Sequence, residues 1–482
     1  MTITILDCYT DEPAGLGVPP YLGVYPRYIA GSLDKIPNYI TIDDLRIYNK
    51  QKPIKKPKPS QKTDIRTYNL TKNFNNIKEI LEKTDELIII AGVHTPGKYL
   101  SAIPGTLKEI INLTKDINSE KTLTGPAIYG TSAEGGRFFE RVDLNGFRLK
   151  KFNFLYNEIK GFAIRGTEII KQIPDRRIIE LETSKGCPRK EHCSFCTEPI
   201  KNSLAFRSKE DIIKEVKAFN RLGIRHFRLG KQSCYYSHPE AIEILKDIRK
   251  QCKIDVLHID NVNPQQVITK RGIEITKAIV KYCTEGNTAA FGVESFDPVV
   301  IKENCLNSNQ ETSYKAVKII NKYGQKRGDN GMPIFLPGIN LLFGLIGESK
   351  TTNEHNLKWL KKFLEEGLLL RRINIRQVDI FQGTPLYNTV GNKFIKKNKK
   401  YYWKWRNQIR QEIDFPMLQK IAPKGTILKD VQAEIYDGKT TFGRQLGTYP
   451  LIVGIKKRIE LKKFYNLRVI NHQLRSITGE VA

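Results

Sequence analysis

The chain has 482 residues, too many for one ordinary core, and its 80 Lys and Arg against 51 Asp and Glu give a net charge of +29. No apolar run is long enough to span a bilayer, and the amino terminus lacks a charged flank ahead of a small-residue cleavage site. Neither a membrane partner nor a secretory signal is expected, so the chain is read as cytoplasmic, and its 8 cysteines suit a reducing compartment better than a disulfide framework.

Ile3 to Cys8 reads as a strand and Tyr28 to Leu33 as the start of a helix. Tyr39 to Asp43, Glu86 to Gly92 and Gly125 to Gly130 read as three more strands. This order suggests a flavodoxin-like doubly wound α/β domain over residues 1–150, a fold that binds ligands beyond its strand ends. Gln51 to Pro59 (QKPIKKPKP) is a basic, Pro-rich loop between the second and third strands. Asp11, His94, Glu134, Gly135 and Gly136 fall at strand ends and are candidates for a pocket.

Arg177 to Leu181 is a short apolar strand, and the following ELETSKGCPRKEHCSFCTEP carries Cys187, Cys193 and Cys196. Three thiolates on one strand-to-helix loop can converge on one metal. A structural zinc site closes with four ligands, and the nearby fourth candidate, His192, is adjacent to Cys193 and poorly placed to share the ion. Three thiolates on a cuboidal [4Fe–4S] cluster leave one iron open, so the ligand count favours iron–sulfur over zinc.

Arg207 to Gly223 reads as a helix with Ile212, Ile213, Val216, Phe219 and Leu222 on one face. The strand Ile224 to Leu229 ends in Gly230-Lys231-Gln232-Ser233. NTAAFGVES (287–295), NLLFGLIGES (340–349) and INIRQVDIFQGTPL (373–386) follow, each a strand-like run ending in Gly or small polar residues. Strands separated by helical stretches imply a parallel barrel or partial barrel with its chemistry at the carboxyl ends.

Taken together, these motifs resemble the radical S-adenosylmethionine (SAM) superfamily, whose signature is C-x3-C-x-aromatic-C. Phe195 supplies the aromatic, while the first gap holds five residues, Pro188 to His192, instead of three. The resemblance implies a radical SAM partial (β/α) barrel over 170–390, with one [4Fe–4S] cluster on Cys187, Cys193 and Cys196. It also implies SAM at the open iron and an external one-electron reductant such as ferredoxin or flavodoxin. Reductive cleavage of SAM would give a 5′-deoxyadenosyl radical that abstracts hydrogen from an unactivated C–H bond. By the same resemblance Phe195 lies at the cofactor, Gly230, Lys231 and Gln232 hold the SAM amino group, Glu294 and Ser295 the ribose or carboxylate, and Gly347 and Glu348 the adenine side. Lys231 and Gln232 stand where the family usually has Gly-Glu, and no residue is assigned to catalysis.

Many such enzymes carry an N-terminal domain for cobalamin or a second cluster. Here DCYTDEP (7–13) holds no histidine after the first strand, and Cys8 is the domain's single cysteine, so one cluster and no histidine-ligated cobalamin are expected. The scattered cysteines read as small buried hydrophobes, with Cys234 singled out because it follows the Gly230–Gln232 turn by two residues.

Residues 391–482 hold 20 Lys and Arg against 7 Asp and Glu. Residues 391–422 form a basic, aromatic connecting helix region, and 423–482 read as short strands of a small β-barrel that resembles the TRAM domain of tRNA-modifying radical SAM enzymes. Lys396, Lys397, Lys400, Arg406 and Arg444 are candidates to meet RNA phosphates, with interleaved aromatics for unstacked bases. The competing reading of such a charge run is a merely solvated basic face whose aromatics simply pack a helix. LDCYTDEPAGLGVPPYLGVYPRYIAG (6–31) and TTFGRQLGTYPLIVGI (440–455) resemble a mainly archaeal radical SAM group, whose C-terminal helix-hairpin-helix has no counterpart before Ala482. Modification of a base in structured RNA is the function implied, with a small molecule or peptide as the alternative substrate and the basic tail then serving assembly.

Overall fold

A computed structural model describes residues 1–9, 21–51, 68–92, 103–129, 142–175 and 178–482. Asp11, His94, Glu134, Gly135, Gly136 and the Pro-rich loop after Gln51 lie outside the described residues. The chain divides into two compact units: Met1–Leu181 with Glu210–His226 and Gln251–Lys253, and the remainder.

In the first unit, five parallel strands run in the order Asn38–Thr41, Ile3–Asp7, Glu86–Ile90, Glu120–Thr124, Arg148–Leu149. That is 2-1-3-4-5 in sequence order, the flavodoxin-like arrangement. The fourth strand was expected at Gly125 to Gly130 and instead ends before it. Gly125, at φ +92, lies against the Ala91 backbone and turns the chain into the short turn Pro126–Tyr129. Cys8 is buried in this core, where burial pushes its thiol well above the usual range. The buried Arg46 bridges Asp43 and Glu109, at 2.8 Å from each.

This unit runs past residue 150. Helix Val24–Ser32 meets helix Tyr156–Arg165 so closely that a Cβ on Gly31 would stand 1.9 Å from the Phe162 carbonyl oxygen. Arg27 is fully buried, paired with Glu215 and donating to the Glu180 carbonyl, with its guanidinium over the Phe219 ring. The amphipathic helix Lys209–Arg221 buries Ile212, Ile213, Val216 and Phe219 as its spacing predicts.

In the second unit, Asn261–Val262, Asn287–Glu294, Phe335–Phe343 and Arg372–Gln377 form a parallel sheet, and His226–Gly230 lies beside Val256–Ile259. Helices Lys270–Tyr282, Gln310–Gly324 and Thr352–Glu365 connect the strands, each burying one apolar stripe. The carboxyl ends of the four strands of that parallel sheet therefore open on one side.

The chain ends in a closed five-stranded barrel, Ile427–Asp437, Thr440–Gln445, Val453–Ile455, Phe464–His472 and Ile477–Val481, in sequence order 1-2-3-5-4. The segment after its second strand docks on the parallel strands. Tyr449 donates its hydroxyl to Asp260 at 2.9 Å, Arg371 donates to the Tyr449 carbonyl, and the Thr448 N–H donates to His258 Nδ1 at 2.9 Å. Burial lowers the His258 pKa to about 4, which keeps that nitrogen an acceptor. TFGRQLGTYP is thus an internal clasp.

Candidate metal centre

Strand Ile178–Glu182 passes into a two-stranded hairpin, Ser184–Lys185 against Ala205–Phe206, which closes the cysteine loop at its base. Gly186 starts the loop at φ +76, and a Cβ there would lie 2.6 Å from the Leu204 nitrogen. Its N–H donates to Glu198 Oε1 at 2.8 Å, and its carbonyl accepts the Ser233 hydroxyl at 2.9 Å. The Cys196 N–H donates to the Cys193 carbonyl at 3.0 Å, so these two thiols share one tight turn.

Ser194, between them, fastens the turn to the loops beyond the parallel strands. Its hydroxyl donates to Asn304 Oδ1 at 2.6 Å, its N–H to the Asn304 carbonyl at 3.1 Å, and its carbonyl accepts Leu386 N–H at 2.9 Å. The fully buried Asn304 continues to Ile346, accepting its N–H at 3.2 Å and donating to its carbonyl at 2.9 Å. Cys193 and Phe195 pack on Val300, Leu306, Leu345, Val378, Ile380 and Leu386. Phe195 therefore anchors the loop to the core. No local pattern singles out Asn304, which meets Ser194 across 110 residues.

Burial pushes the Cys193 thiol up to about 12 and the Cys196 thiol up to about 11, so both hold protons at neutral pH that a bound metal would displace. Cys187 and Glu294 each act electrostatically on Cys196, and Cys196 and Glu294 on Cys193. Among the described residues no three His, Cys, Asp or Glu side chains are gathered into a metal-holding group, so the sulfurs are not drawn to one point. In number, chemistry and placement on one closed loop, the three thiols still fit a three-thiolate centre. Cys234 stands apart, buried, its sulfur accepting Asn263 N–H at 3.2 Å.

The other cofactor candidates surround this loop unevenly. Gly230 and Lys231 form the turn, with Lys231 at φ +55, an uncommon conformation for a side-chain-bearing residue. Gln232 is buried and committed, accepting the Thr183 hydroxyl at 3.2 Å and donating to the Leu229 carbonyl at 3.0 Å. Glu294 ends its strand at φ +64, its carboxyl pushed up to about 8 by burial, with Arg376 opposing. The buried Ser295 caps the next turn by accepting Asp297 N–H at 3.1 Å. Gly347 turns at φ +83, and the buried Glu348 accepts Gly344 N–H at 2.6 Å and Asn398 Nδ2 at 2.8 Å. Glu348 is therefore engaged in holding its own loop and the helix Lys393–Ile409 that carries Asn398.

Burial raises the Glu348 pKa to about 7, whereas an unfolded glutamate titrates near about 4.3. The folded chain binds the extra proton in that window, so stability falls as pH rises through it, by about 3 kcal/mol. Denaturant titrations at pH 5 and pH 7.5 are expected to show a larger loss in the wild type than in Glu348→Gln, because Glu294 titrates in both; equal losses would refute it.

The basic region forms helix Lys393–Ile409, which buries Asn398, Tyr402, Trp405 and Ile409. Tyr402 and Trp405 pack on Phe343, leaving Lys396, Lys397, Lys400 and Trp403 exposed, with Arg406 half-buried over the Trp403 ring. Arg444 requires a correction. It is fully buried on a barrel strand and paired with Glu434 at 2.7 Å, so it offers nothing to a phosphate.

The model of the Radical SAM superfamily matches residues 181–341, the stretch from just before the cysteine loop into strand Phe335–Phe343. An uncharacterized protein of Methanocaldococcus jannaschii is 42% identical over 99% of this chain and 92% of its own length. The chain belongs to the radical SAM superfamily. It is an enzyme of that superfamily, and its archaeal relatives include an uncharacterized protein of Archaeoglobus fulgidus, 40% identical over 99% of this chain and 90% of that protein. A putative methylthiotransferase of M. jannaschii is 23% identical over 55% of this chain and 60% of its own. Among solved structures, the cobalamin-dependent SAM radical enzyme OxsB superposes with a TM-score of 0.52 at 14% identity, covering 83% of this chain and 61% of that one, a likeness of fold. No helix among the described residues is long and apolar enough to cross a membrane.

Proposed function

We propose that this radical SAM enzyme modifies a base in structured RNA. One observation carries the reading. Lys393, Lys396, Lys397, Lys399, Lys400 and Lys404 are exposed on helix Lys393–Ile409, and Asn398 of that helix is hydrogen-bonded to Glu348 in the loop that follows strand Phe335–Phe343. A surface able to neutralise phosphates is thereby fixed beside the carboxyl ends of the parallel strands, the side of the barrel where chemistry is done. The closed five-stranded barrel behind it belongs to a size class that includes oligonucleotide binders.

Cys187, Cys193 and Cys196 would hold the cluster. A cluster held there would supply one-electron reductive cleavage of bound SAM, the electron coming from an external ferredoxin or flavodoxin and methionine leaving, and so the means of hydrogen abstraction. Phe195 and the apolar side chains beneath it keep water from the back of the loop. Burial raises the Glu294 carboxyl to about 8, which favours its protonated form, and a protonated Glu294 would offer the ribose or carboxylate of SAM an O–H donor. Lys231 would sit at the methionine end, at the turn after Gly230.

Binding is tested on the full chain with folded tRNA and an unstructured RNA of equal length. The log–log salt slope is expected to fall by about three units when Lys396, Lys397 and Lys400 all become alanine, about one per phosphate contact, with the larger affinity loss on the folded RNA. Equal affinity for both RNAs, unchanged in the variant, would favour a small-molecule or peptide substrate. That second reading has its own support in the burial of Tyr402 and Trp405, two aromatics that cannot stack on bases.

A further inference from the structure

The gap between Cys187 and Cys193 is where this chain is longer than the C-x3-C signature, and Arg189 lies in it. Its guanidinium donates through Nη1 to Cys193 Sγ at 3.1 Å, and through Nη2 to the carbonyls of Cys305 at 2.8 Å and Leu306 at 3.3 Å. Two carbonyl acceptors therefore fix the planar fork while its other arm meets a sulfur. Those carbonyls belong to the short turn that begins at Asn304, the residue that already holds Ser194. Cys305 adopts φ +47 there, an uncommon backbone for a residue with a Cβ. Cys193 is thus held from both sides by one turn, through Ser194 next in the chain and through Arg189.

We propose that Arg189 is a positioning residue that sets the reduction potential of the cluster through its hydrogen bond to the Cys193 sulfur. The inference rests on the three-cysteine reading of the site. Reduction adds one negative charge to the cluster and its thiolates. A guanidinium donor pinned against one of those sulfurs favours the reduced form more than the oxidised one. Hydrogen bonds to ligand sulfurs are among the features that set the potentials of such clusters. The longer first gap then has a function: it carries the donor to the sulfur while leaving C-x-x-C in its tight turn.

The test is an anaerobic potentiometric titration of the reconstituted full chain, followed by the EPR signal of the reduced cluster, with iron counted in every sample. Arg189→Gln is expected to load iron and to lower the ratio of reduced to oxidised cluster about tenfold at fixed potential, or about 59 mV for a one-electron couple. Arg189→Lys, which keeps a charged donor, is expected to stay closer to wild type than Arg189→Gln. A fully loaded Arg189→Gln with the wild-type midpoint would overturn the proposal. Loss of iron from both variants would overturn it too, by making Arg189 only a clip for the 304–306 turn. Wild-type protein that takes up no iron would instead defeat the cluster reading itself, a separate and distinguishable failure.

Discussion

Replacing Cys196 by alanine is expected to abolish iron uptake and SAM cleavage together while leaving the fold intact. The three thiols sit on one hairpin-closed loop, and Cys196 shares a tight turn with Cys193 and acts electrostatically with Cys187. With two thiolates left, a cuboidal cluster loses one of its three protein ligands; His192 is adjacent to Cys193 in sequence, and Cys234 is engaged with Asn263. The turn itself rests on Ser194, Asn304 and Phe195, none of which the substitution touches. Thermal unfolding of the iron-free variant should therefore match iron-free wild type. Retention of about four irons in Cys196→Ala would assign the ligand wrongly.

Asn304→Leu is expected to destabilise the protein by roughly 3 kcal/mol or more and to weaken cluster retention with it. Asn304 is fully buried, and its side chain serves the Ser194 hydroxyl, both polar groups of the Ile346 peptide and the Val300 carbonyl, at 2.6 to 3.2 Å. Leucine is similar in volume but leaves these groups buried without partners, and each such loss costs about 1–3 kcal/mol. Denaturant unfolding followed by tryptophan fluorescence measures the first effect. The rate of iron release to a chelator measures the second. An unchanged midpoint would show that Ser194 and Ile346 find other partners.

Much of this was legible in the residues, for reasons that are local. The cysteine spacing, the apolar alternation of strand and helix, and the glycines at strand ends are short-range patterns, and each sits where the fold places it. The doubly wound order and the terminal barrel followed from the same signals, although Gly125 ended a strand it was expected to start. What failed was partner choice across long separations. Arg444 read as a free cation because its partner, Glu434, lies on the neighbouring strand of a barrel whose pairing the sequence does not print. Tyr402 and Trp405 looked like base-stacking aromatics, yet Asn398, Tyr402, Trp405 and Ile409 follow the 4-3-4 spacing of a core-facing helical stripe. Asn304 and Arg189 left no pattern, since polar hubs show their role only through the carbonyls they meet.

The most direct measurement is iron content and SAM turnover of the anaerobically reconstituted wild-type chain under a low-potential reductant. About four irons per chain, with 5′-deoxyadenosine formed from SAM, is the predicted result. One tightly held zinc per chain and no SAM cleavage would contradict the account at its centre, by making Cys187, Cys193 and Cys196 ligands of a structural site.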